Sequence, residues 1–571
     1  MAYQPMKITL AVGADAARLL GDGAFRAKWR DLYDRCPWAT VFQTAAFLDP
    51  WFEIYGDRYR PVLAMGSRTE ASLDGLLILV SAADSGELFH AGTHHAEYQA
   101  WMAAPADGNL FIELALDELA RRLPKASLRF IYLPPSAPLD WAAPGSRWGR
   151  CCDLAPVPVP LLALADAKAL DALRRKRLRK SVRKWKLEEL ERMGGLRLEE
   201  IENPASFAGL FDEIIDYSDF RHGAVHDVLP FRRDARKKLL YLAMARVPGL
   251  LDISVLRVGG RLISACINYQ NRGRVLLGII AHSPFFADYS LGSIHILDLA
   301  ARLAERKTVA DFDLSPGGGY KDRFATRYEN SHILTVSLDP SDADRRRRER
   351  RLVETARAIL AKTGLESTAK LMASVMRAPA AHWARFQAWL WSTVEISVYS
   401  LDADRIGAFG PSAGFRRDSL ADLLRLRPPA AQTYLETALA RFERHGHVYT
   451  LVQDGSPGCS LWTTPIQSQV LVPEAGTELL LPPGSAAVYG FAAGAHGGSL
   501  YEAALRHAIQ QEFSGSSDLH RVYTWVPAAD RKRQVVLEKL GFVPAGTIRK
   551  AMRAGRMRLN LPPARINPEA C

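Results

Sequence analysis

Three short patterns combine residue types that can do chemistry. Gly410–Gly414 reads GPSAG and fits the G-x-S-x-G pattern of a hydrolase nucleophile turn, but loop-like composition precedes it where a strand is required. His222 and His226 have the i, i+4 spacing of two metal ligands, yet Gly223 and a loop-like context disfavour a rigid metal site. The run Gly317–Tyr320 lacks the GK[ST] ending of a P-loop. These patterns favour neither a metal centre nor a serine hydrolase.

A fourth pattern is strongly basic. Arg174–Lys186 holds nine cations and no acid. Leu178, Val182 and Trp185 follow one another at i, i+4 and i+7, which predicts a helix with one apolar stripe. The simplest interpretation is a solvated helix that docks on the core through this stripe. Contact with the phosphates of a coenzyme or carrier is one alternative, and contact with an anionic membrane surface is another.

Length and composition bound the kind of protein. The 571 residues predict about three to four domains. A hydrophobic share of 48% and a charged share of 24% exclude disordered and collagen-like chains. The net charge of +12 is moderate and sits largely in two short runs, so it does not indicate a DNA partner. No apolar stretch is long enough for a membrane span, and six cysteines without C-x-x-C fit a reducing compartment. We therefore expect a cytoplasmic protein.

Periodicity predicts the elements that would position functional groups in the middle of the chain. Residues 153–169 are rich in proline and alanine and predict a linker. The elements predicted after it are the helix Ala167–Met193, the strands Ile253–Val258 and Leu262–Tyr269 around Gly259-Gly260, the helix Ser293–Arg306 and the strand Val309–Leu314. This order predicts an α+β fold rather than a regular β-α alternation.

The C-terminal part repeats this plan. Arg345–Trp391 predicts a helical connector that begins with RRRRERR. The elements predicted beyond it are a hairpin of Val448–Gln453 with Cys459–Thr464, the strand Ala486–Phe491, the helix Ser499–Phe513, the strand Arg521–Val526 and the helix Asp530–Leu540. The repeated order of hairpin, strand, helix and strand predicts two related folds in one chain.

The end of the chain resembles the GNAT superfamily of acyltransferases. The match is carried by VYTWVPAADRKRQVVLEKLGF, with the closing pattern at residues 537–542, and by AHGGSLYEAALRHAI. The resemblance implies that Gly497, Gly498 and Ser499 open a cofactor helix, where small residues let backbone N–H groups approach a pyrophosphate. This copy departs from the family pattern at four positions, which are Ala492, Ala495, Asp530 and Leu537.

The region of residues 25–336 resembles another GNAT-like branch, the CelD-like proteins associated with cellulose biosynthesis, which are related in fold to Fem-type aminoacyl transferases. Its stretches are LRRKRLRKSVRKWKLEELERMGG, ISVLRVGGRLISACINYQNRGRVLLGIIAHSPFFADYSLGSIHILDLAARLAE, FDLSPGGGYKDRFA, ATVFQTAAFLDPWFEIYG and HAEYQAWM. The resemblance implies a fold of tandem GNAT-like units, with mixed, mainly antiparallel sheets flanked by helices. The domains it implies are residues 1–165, a GNAT-like half; 166–340, the acyltransferase unit; 341–392, the connector; and 393–571, a C-terminal GNAT domain.

The resemblance also implies the chemistry and its residues. Transfer from a thioester requires a polarised carbonyl, a deprotonated amine and a stabilised thiolate. The implied pyrophosphate turn consists of Tyr289, Ser290, Leu291, Gly292 and Ser293, and Ser290 there departs from the family's middle glycine. The implied catalytic residues are Asp313, His282, Tyr320 and Lys321, which we expect to face one region. The better match to its own branch makes residues 166–340 the expected active unit.

The predicted function is an acyl-CoA-dependent N-acyltransferase, an acetyltransferase of an amine in polysaccharide or envelope biosynthesis. The expected co-substrate is acetyl-CoA or another acyl-CoA, with no metal. The expected acceptor is an amine-bearing small molecule or a carrier-linked sugar. Two alternatives stay open, which are a non-catalytic GNAT-fold binding or scaffold protein and a Fem-type transferase that uses aminoacyl-tRNA. Contact with tRNA rests only on analogy with Fem-type relatives.

Overall fold

The structure is a computed structural model of the chain. It describes residues 4–83, 87–181, 184–317, 319–341, 345, 391–410, 412, 414–426, 432–453, 456–493, 500–553 and 556–560. The described residues fall into two compact units, called unit 1 and unit 2. Unit 1 lies within Met1–Ile215, Pro230–Ser283 and Tyr289–Ala358. Unit 2 lies within Asp216–Leu229, Pro284–Asp288 and Ile359–Cys571.

Unit 1 begins with an antiparallel sheet, sheet I, in the order β1-β2-β3-β4, with β5 also paired to β3. Its strands are β1 (Lys7–Val12), β2 (Tyr59–Ser67), β3 (Gly75–Ala82), β4 (Leu88–His90) and β5 (Met102–Ala103). The helices of this part are α1 (Ala14–Gly21), α2 (Gly23–Arg35), α3 (Ala45–Tyr55) and α4 (Gly108–Arg122). A Cβ at Gly75 would lie 2.1 Å from the Phe111 ring of α4, so glycine permits this close packing.

Sheet II has eight strands in the order β6-β13-β7-β12-β11-β10-β9-β8. The strands are β6 (Ser127–Leu133), β7 (Cys152–Ala163), β8 (Leu196–Glu200), β9 (Leu251–Val258), β10 (Arg261–Asn271), β11 (Arg274–His282), β12 (Asp311–Asp313) and β13 (Arg327–Ser337). The helices along this stretch are α5 (Ala167–Ser181), α6 (Lys184–Arg192), α7 (Pro204–His226), α8 (Pro230–Arg233), α9 (Arg236–Met244) and α10 (Leu291–Glu305). α10 and α5 bury one face of the sheet in a core that includes Cys266, Leu277 and Phe312.

Sheet III, in unit 2, has eight strands in the order β15-β16-β17-β20-β21-β14-β22-β23, and β18 and β19 form a separate hairpin. The strands are β14 (Trp391–Asp402), β15 (Phe415–Arg417), β16 (His447–Gln453), β17 (Ser456–Thr463), β18 (Gln469–Val472), β19 (Thr477–Leu480), β20 (Ser485–Ala493), β21 (Arg521–Pro527), β22 (Val543–Arg553) and β23 (Arg556–Asn560). The helices are α11 (Leu420–Leu426), α12 (Gln432–Phe442), α13 (Tyr501–Phe513) and α14 (Arg531–Lys539).

Sheets II and III share one strand order. In sheet II, β7 lies next to β12, and β12 runs parallel to β11. In sheet III, β14 lies next to β21, and β21 runs parallel to β20. In this order β11 corresponds to β20, and β12 corresponds to β21. A helix connects the two strands in each sheet: α10 lies between β11 and β12 along the chain, and α13 lies between β20 and β21. The predicted fold class, α+β tandem GNAT-like units with mainly antiparallel sheets, is therefore confirmed.

The predicted linker is wrong, because most of residues 153–169 form β7 inside sheet II. Pro156, Pro158 and Pro160 are two residues apart, so their nitrogens all face the same edge of the strand. The Pro160 carbonyl accepts from Leu314 N at 3.1 Å, which places that edge away from β13. The β7–β13 ladder therefore loses no donor to proline, and β12 pairs only from Leu161 onward.

Two predictions around the helices α5 to α7 differ from the structure. The predicted helix Ala167–Met193 is present as α5 and α6, with residues 182 and 183 outside the described part. The expected loop-like context of His222 and His226 is wrong, because both lie within α7, which ends at His226. The helical connector Arg345–Trp391 lies outside the described residues except for Arg345 and for Trp391, which begins β14. The domain boundaries stay predictions.

Candidate active site

A gap opens in sheet II where its two parallel strands stop pairing. β11 and β12 pair from Arg274 opposite Asp311 to Leu276 opposite Asp313. β12 ends there, whereas β11 continues for six residues to His282. Ser315 then turns the chain with a φ of 61°, and its hydroxyl donates to the Leu277 carbonyl at 2.6 Å. Asp313 therefore lies at the point where the hydrogen bonding between β11 and β12 ends.

Asp313 is an almost fully buried carboxylate with two donors. One of its oxygens accepts from the Tyr98 hydroxyl at 2.8 Å, and the other accepts from the Ser315 N–H at 2.8 Å. Burial raises the pKa of Asp313 to about 6, although the Ser315 and Tyr98 hydrogen bonds favour the charged form. Asp313 is thus held in one orientation by donors from opposite ends of unit 1's sequence.

Glu97 lies close enough to this group to interact with it. The residue is partly buried and precedes Tyr98 in the first part of the chain. Burial raises the pKa of Glu97 to about 7, and the neighbouring Asp313 charge raises it further, while the Lys321 ammonium and the Ser315 hydroxyl lower it. A carboxyl group with a pKa near neutrality can accept a proton and release it again at physiological pH.

Lys321 supplies a positive charge beside both carboxyl groups. Its Nζ donates to the Ser315 carbonyl at 3.2 Å. Burial lowers the pKa of Lys321 below its usual value, and the nearby Glu97 and Asp313 charges oppose this shift only in part. We call Glu97, Asp313 and Lys321 the acid–lysine cluster. It combines a proton acceptor, a fixed carboxylate and a cation within one interrupted region of the sheet.

A cavity of about 380 Å³ adjoins this cluster. Tyr98 and Asp313 contribute to its wall. Its charged lining includes Arg274 and Glu329, which form a bidentate ion pair with two contacts of 2.8 Å. Thr40, Asn271 and Ser136 add neutral polar groups. The cavity can thus hold a polar molecule next to Asp313.

Two of the predicted catalytic residues are not brought to the cluster. His282 lies six residues along β11 from Leu276, the partner of Asp313, which corresponds to about 20 Å of extended strand. It lies instead beside α10, where its Cε1 would be 3.7 Å from a Cβ at position 292. Tyr320 is 41% exposed, although Lys321 next to it belongs to the cluster. The expectation that all four face one region is met by Asp313 and Lys321.

The predicted pyrophosphate turn forms the entrance to α10. Tyr289 is buried, Ser290 has a φ of 55°, and Leu291 begins the helix. Ser293 N donates to the Ser290 carbonyl at 2.9 Å, so the turn closes onto the helix. The first N–H groups of a helix have no acceptor inside it. A Cβ at position 292 would make only ordinary contacts, the nearest with Ile280 at 3.5 Å. Gly497, Gly498 and Ser499 lie outside the described residues.

The basic segment docks on the core through fewer residues than predicted. Leu178 packs against the core under α10, but Trp185 is 48% exposed, and the Val182 side chain lies outside the described part. Arg174 is held by Asp298 of α10 at 2.6 Å. The Lys186 ammonium lies 5.3 Å from the centre of the Tyr289 ring, which places one cation at the α10 entrance.

The competing motifs gain no support as sites. His222 Nδ1 contacts the Ser218 carbonyl at 2.9 Å, one turn earlier on α7. No group of three or more metal-binding side chains occurs within the described residues. In GPSAG, Ser412 N–H donates to His507 Nδ1 at 3.2 Å, so the contact involves the serine backbone. Among the described helices none is both long and apolar enough to cross a bilayer.

Sequence reasoning missed Glu97 and Tyr98. Both belong to HAEYQAWM, a stretch used only as a sign of resemblance. The signal that could have found them is two adjacent polar residues within a run whose other members, such as Trp101 and Met102, are buried. Polar groups in such surroundings need partners, and here the partners come from 215 residues away.

Comparison with known families identifies one domain. Residues 173–329 match the family described as "Acetyltransferase (GNAT) domain". This part of the chain contains α10, the predicted pyrophosphate turn, Asp313 and Lys321. The chain therefore carries a GNAT acetyltransferase domain, which supports a transferase. The narrower CelD-like assignment stays a prediction. No match was found among curated proteins.

Solved structures with a similar arrangement are distant. The C-terminal domain of a putative lysylphosphatidylglycerol synthetase from Agrobacterium fabrum is 14% identical, with a TM-score of 0.36, over 57% of this chain and 94% of that chain. FemX is 9% identical, with a TM-score of 0.37, over 54% and 95%. A tandem GNAT protein from the clavulanic acid biosynthesis pathway is 16% identical, with a TM-score of 0.21, over 63% and 99%. These similarities are too weak to indicate an activity.

Proposed function

We propose that unit 1 is an acyl-CoA-dependent N-acyltransferase that works at the acid–lysine cluster. The observation that carries the proposal is the acid–lysine cluster, where Asp313 accepts from the Tyr98 hydroxyl at 2.8 Å at the point where β11 and β12 stop pairing, and where burial raises the pKa of Glu97 to about 7. The match of residues 173–329 to a GNAT acetyltransferase domain supports the same reaction class. Glu97 lies outside the matched residues but interacts with Asp313 and Lys321 inside them, and a carboxyl group with a pKa near neutrality is suited to receive the proton of an attacking amine.

The entrance to α10 is the proposed binding site for the coenzyme pyrophosphate. Free N–H groups and the positive end of the helix dipole favour a bound anion. The Lys186 ammonium near Tyr289 adds a positive charge to this entrance. From Gly292 and His282 the strand β11 leads back to Leu276, over a distance that suits an extended pantetheine arm. The thioester would then lie at the gap beside Asp313.

The reaction needs one proton acceptor and no covalent intermediate on the protein. Glu97 accepts a proton from the acceptor ammonium, and the amine nitrogen attacks the thioester carbon. The C–N bond forms, the nitrogen of the tetrahedral intermediate loses its second proton to solvent, and the intermediate collapses so that the C–S bond breaks and CoA thiolate is released. The Lys321 cation stabilises the negative charge that develops during these steps, and solvent protonates the thiolate. The Asp313 carboxylate favours the charged form of Lys321 and accepts the hydrogen bond that fixes Tyr98.

The cavity next to Asp313 is the proposed acceptor pocket. Its wall carries both signs of charge and neutral polar groups, which suits an amine-bearing small molecule or a carrier-linked sugar better than a lipid chain. We place the reaction in the cytoplasm, because the six cysteines of the chain include no C-x-x-C motif and the five in the described part are buried. Acetyl-CoA is the simplest donor, and a role in polysaccharide or envelope biosynthesis belongs to the same proposal.

The first test is coenzyme binding. Acetyl-CoA and CoA should stabilise the full chain against heat, by about 2.7 kcal/mol at a hundredfold excess over Kd, while pantetheine without the pyrophosphate should have a much smaller effect. Differential scanning fluorimetry measures the shift, and a thiol reagent then measures CoA release with a panel of amines. Equal shifts with pantetheine and CoA would contradict the pyrophosphate site. Binding without CoA release for any amine would favour the non-catalytic alternative.

A further inference from the structure

Unit 2 contains a larger cavity that the proposed reaction does not use. Its volume is about 610 Å³, within the range of small-molecule sites. It lies between the C-terminal end of α12, the β18–β19 hairpin and the central strand β20. The residues that matter for its chemistry are Arg441, Arg444, Glu436, Glu478, Tyr489 and Leu471.

Arg441 is held in one place by aromatic side chains and a glycine. Its guanidinium carbon lies 5.0 Å from the centre of the Trp462 ring and 5.0 Å from that of Tyr489. Gly490 has a φ of 66°, and a Cβ there would lie 2.7 and 2.8 Å from the two terminal guanidinium nitrogens. Any side chain at position 490 would collide with the Arg441 guanidinium, so glycine is required there for the guanidinium to pack against the backbone of β20.

This guanidinium has no counter-ion among the described residues. Its Nε is sealed from solvent and has no hydrogen-bond partner there. Burial lowers the pKa of Arg441, while Glu474 and two tyrosines partly oppose the shift. Glu474 forms no ion pair with Arg441 among the described residues, and its carboxylate accepts from Trp525 Nε1 at 3.2 Å. A desolvated cation without a paired anion is costly, so a missing partner is expected.

The position of Arg441 within the fold adds a second argument. In sheet III the parallel pairing of β20 with β21 ends at Ala487 opposite Tyr523. Tyr489 and Gly490 lie two and three residues further along β20, so the guanidinium lies close to the point where these two strands stop pairing. In sheet II the corresponding strands open at the acid–lysine cluster. The same place in the two sheets thus carries acids and a lysine in one unit and an unpaired arginine in the other.

We propose that this cavity binds an organic monocarboxylate, with its carboxylate on Arg441 and its apolar body against Tyr489 and Leu471. Guanidinium and carboxylate match each other in a two-point, charge-assisted contact. The other charged side chains that line the cavity favour a ligand with a single negative charge. Arg444 lies 3.7 Å from Glu478, and Glu436 adds another acid, so a phosphate dianion would meet repulsion. The proposal is independent of acyl transfer in unit 1.

Titration calorimetry of the full chain tests the ligand class. Phenylacetate, octanoate and N-acetylphenylalanine are the carboxylate probes, with phenylacetamide and phenyl phosphate as the neutral and phosphate controls. We expect at least one carboxylate to bind more tightly than both controls. Arg441→Gln should weaken that binding by about 10- to 100-fold, and Arg441→Lys by less. Arg425→Gln, at an exposed position of α11, should leave it unchanged.

Thermal unfolding of the ligand-free chain gives a readout that does not depend on the probes. Arg441→Met removes the unpaired cation and keeps apolar contact with the rings, so its Tm should equal or exceed that of the unsubstituted protein, and carboxylates should no longer raise it. A Tm several degrees lower would show that the guanidinium is a structural group and overturn the proposal. So would the absence of any response of the unsubstituted protein to the carboxylates, or tighter binding of phenyl phosphate.

Discussion

Replacing Glu97 with glutamine is expected to lower kcat for acyl transfer by about 10²- to 10⁴-fold, the usual contribution of a positioned general base. The substitution keeps the size and the hydrogen-bonding reach of the side chain but removes its ability to accept a proton. Because Glu97 is only partly buried, the variant should fold and bind acyl-CoA as before. Steady-state kinetics of CoA release, with Kd for acetyl-CoA measured separately, checks both parts.

The same role of Glu97 predicts how kcat/KM depends on pH. With a pKa of about 7, Glu97 is mostly protonated and inactive as a base below neutrality, so kcat/KM should rise with pH through a midpoint near 7 and then level off. In Glu97→Gln the limb with its midpoint near 7 should disappear. A variant that retains both the rate and this limb would show that another group accepts the proton.

Asp313→Asn separates the two carboxyl groups. Both Asp313 oxygens accept hydrogen bonds, and an asparagine NH₂ would face a donor, so this variant should lose about 1–3 kcal/mol of stability. Chemical denaturation measures the loss. If instead Asp313→Asn alone removed the pH limb in a stable protein, the proton acceptor would be Asp313.

Sequence periodicity was sufficient for the elements of both sheets but not for every boundary. The Gly259-Gly260 pair predicts the β9–β10 hairpin because both residues adopt positive φ, 56° and 80°, as a tight turn of this kind requires. The proline run did not mark a domain boundary. Because the prolines occur at every second residue, they remove N–H donors from one edge of β7 only, and the other edge pairs with β13. Proline content alone does not distinguish a linker from such a strand.

The candidate site was predicted in part, and the missing part depends on long-range pairing. Asp313 and Lys321 are close in sequence, so a strand end followed by a short turn was enough to bring them together. Glu97 and Tyr98 reach them only because the first part of unit 1 covers the open region of sheet II. His282 was misplaced because its distance from Asp313 depends on the register of β11 with β12, which no local pattern specifies.

The two sheets illustrate how one strand order can carry different chemistry. The proposed coenzyme site of unit 1 uses a helix entrance and a gap with two acids and a lysine, whereas the gap of sheet III is next to Arg441. An arginine cannot accept a proton from an amine near neutral pH. Arg441 thus cannot take the role that we propose for Glu97, which agrees with the departures seen in the sequence of unit 2.

Gly292→Glu should abolish turnover by excluding the coenzyme, with acyl-CoA affinity reduced at least about 100-fold. The new carboxylate would stand in the first turn of α10, where it would occupy the anion site and repel a pyrophosphate. Gly292→Ala is the matched control, because its Cβ would lie 3.5 Å from Ile280 and 3.7 Å from His282, which are ordinary contacts. We expect the alanine variant to keep kcat, with KM for acyl-CoA changed by only a few-fold.

The position of the active site follows from comparing this variant with Gly497→Glu. Gly497 belongs to the glycine turn of the C-terminal GNAT resemblance and lies outside the described residues, so the expectation for it rests on sequence alone. If unit 1 carries the reaction, Gly497→Glu should retain nearly full turnover, because the coenzyme would bind at the α10 entrance and not at the C-terminal glycine turn. Circular dichroism must show both variants folded. Loss of turnover in Gly497→Glu with retention in Gly292→Glu would assign acyl transfer to unit 2, and the acid–lysine cluster would then need another role.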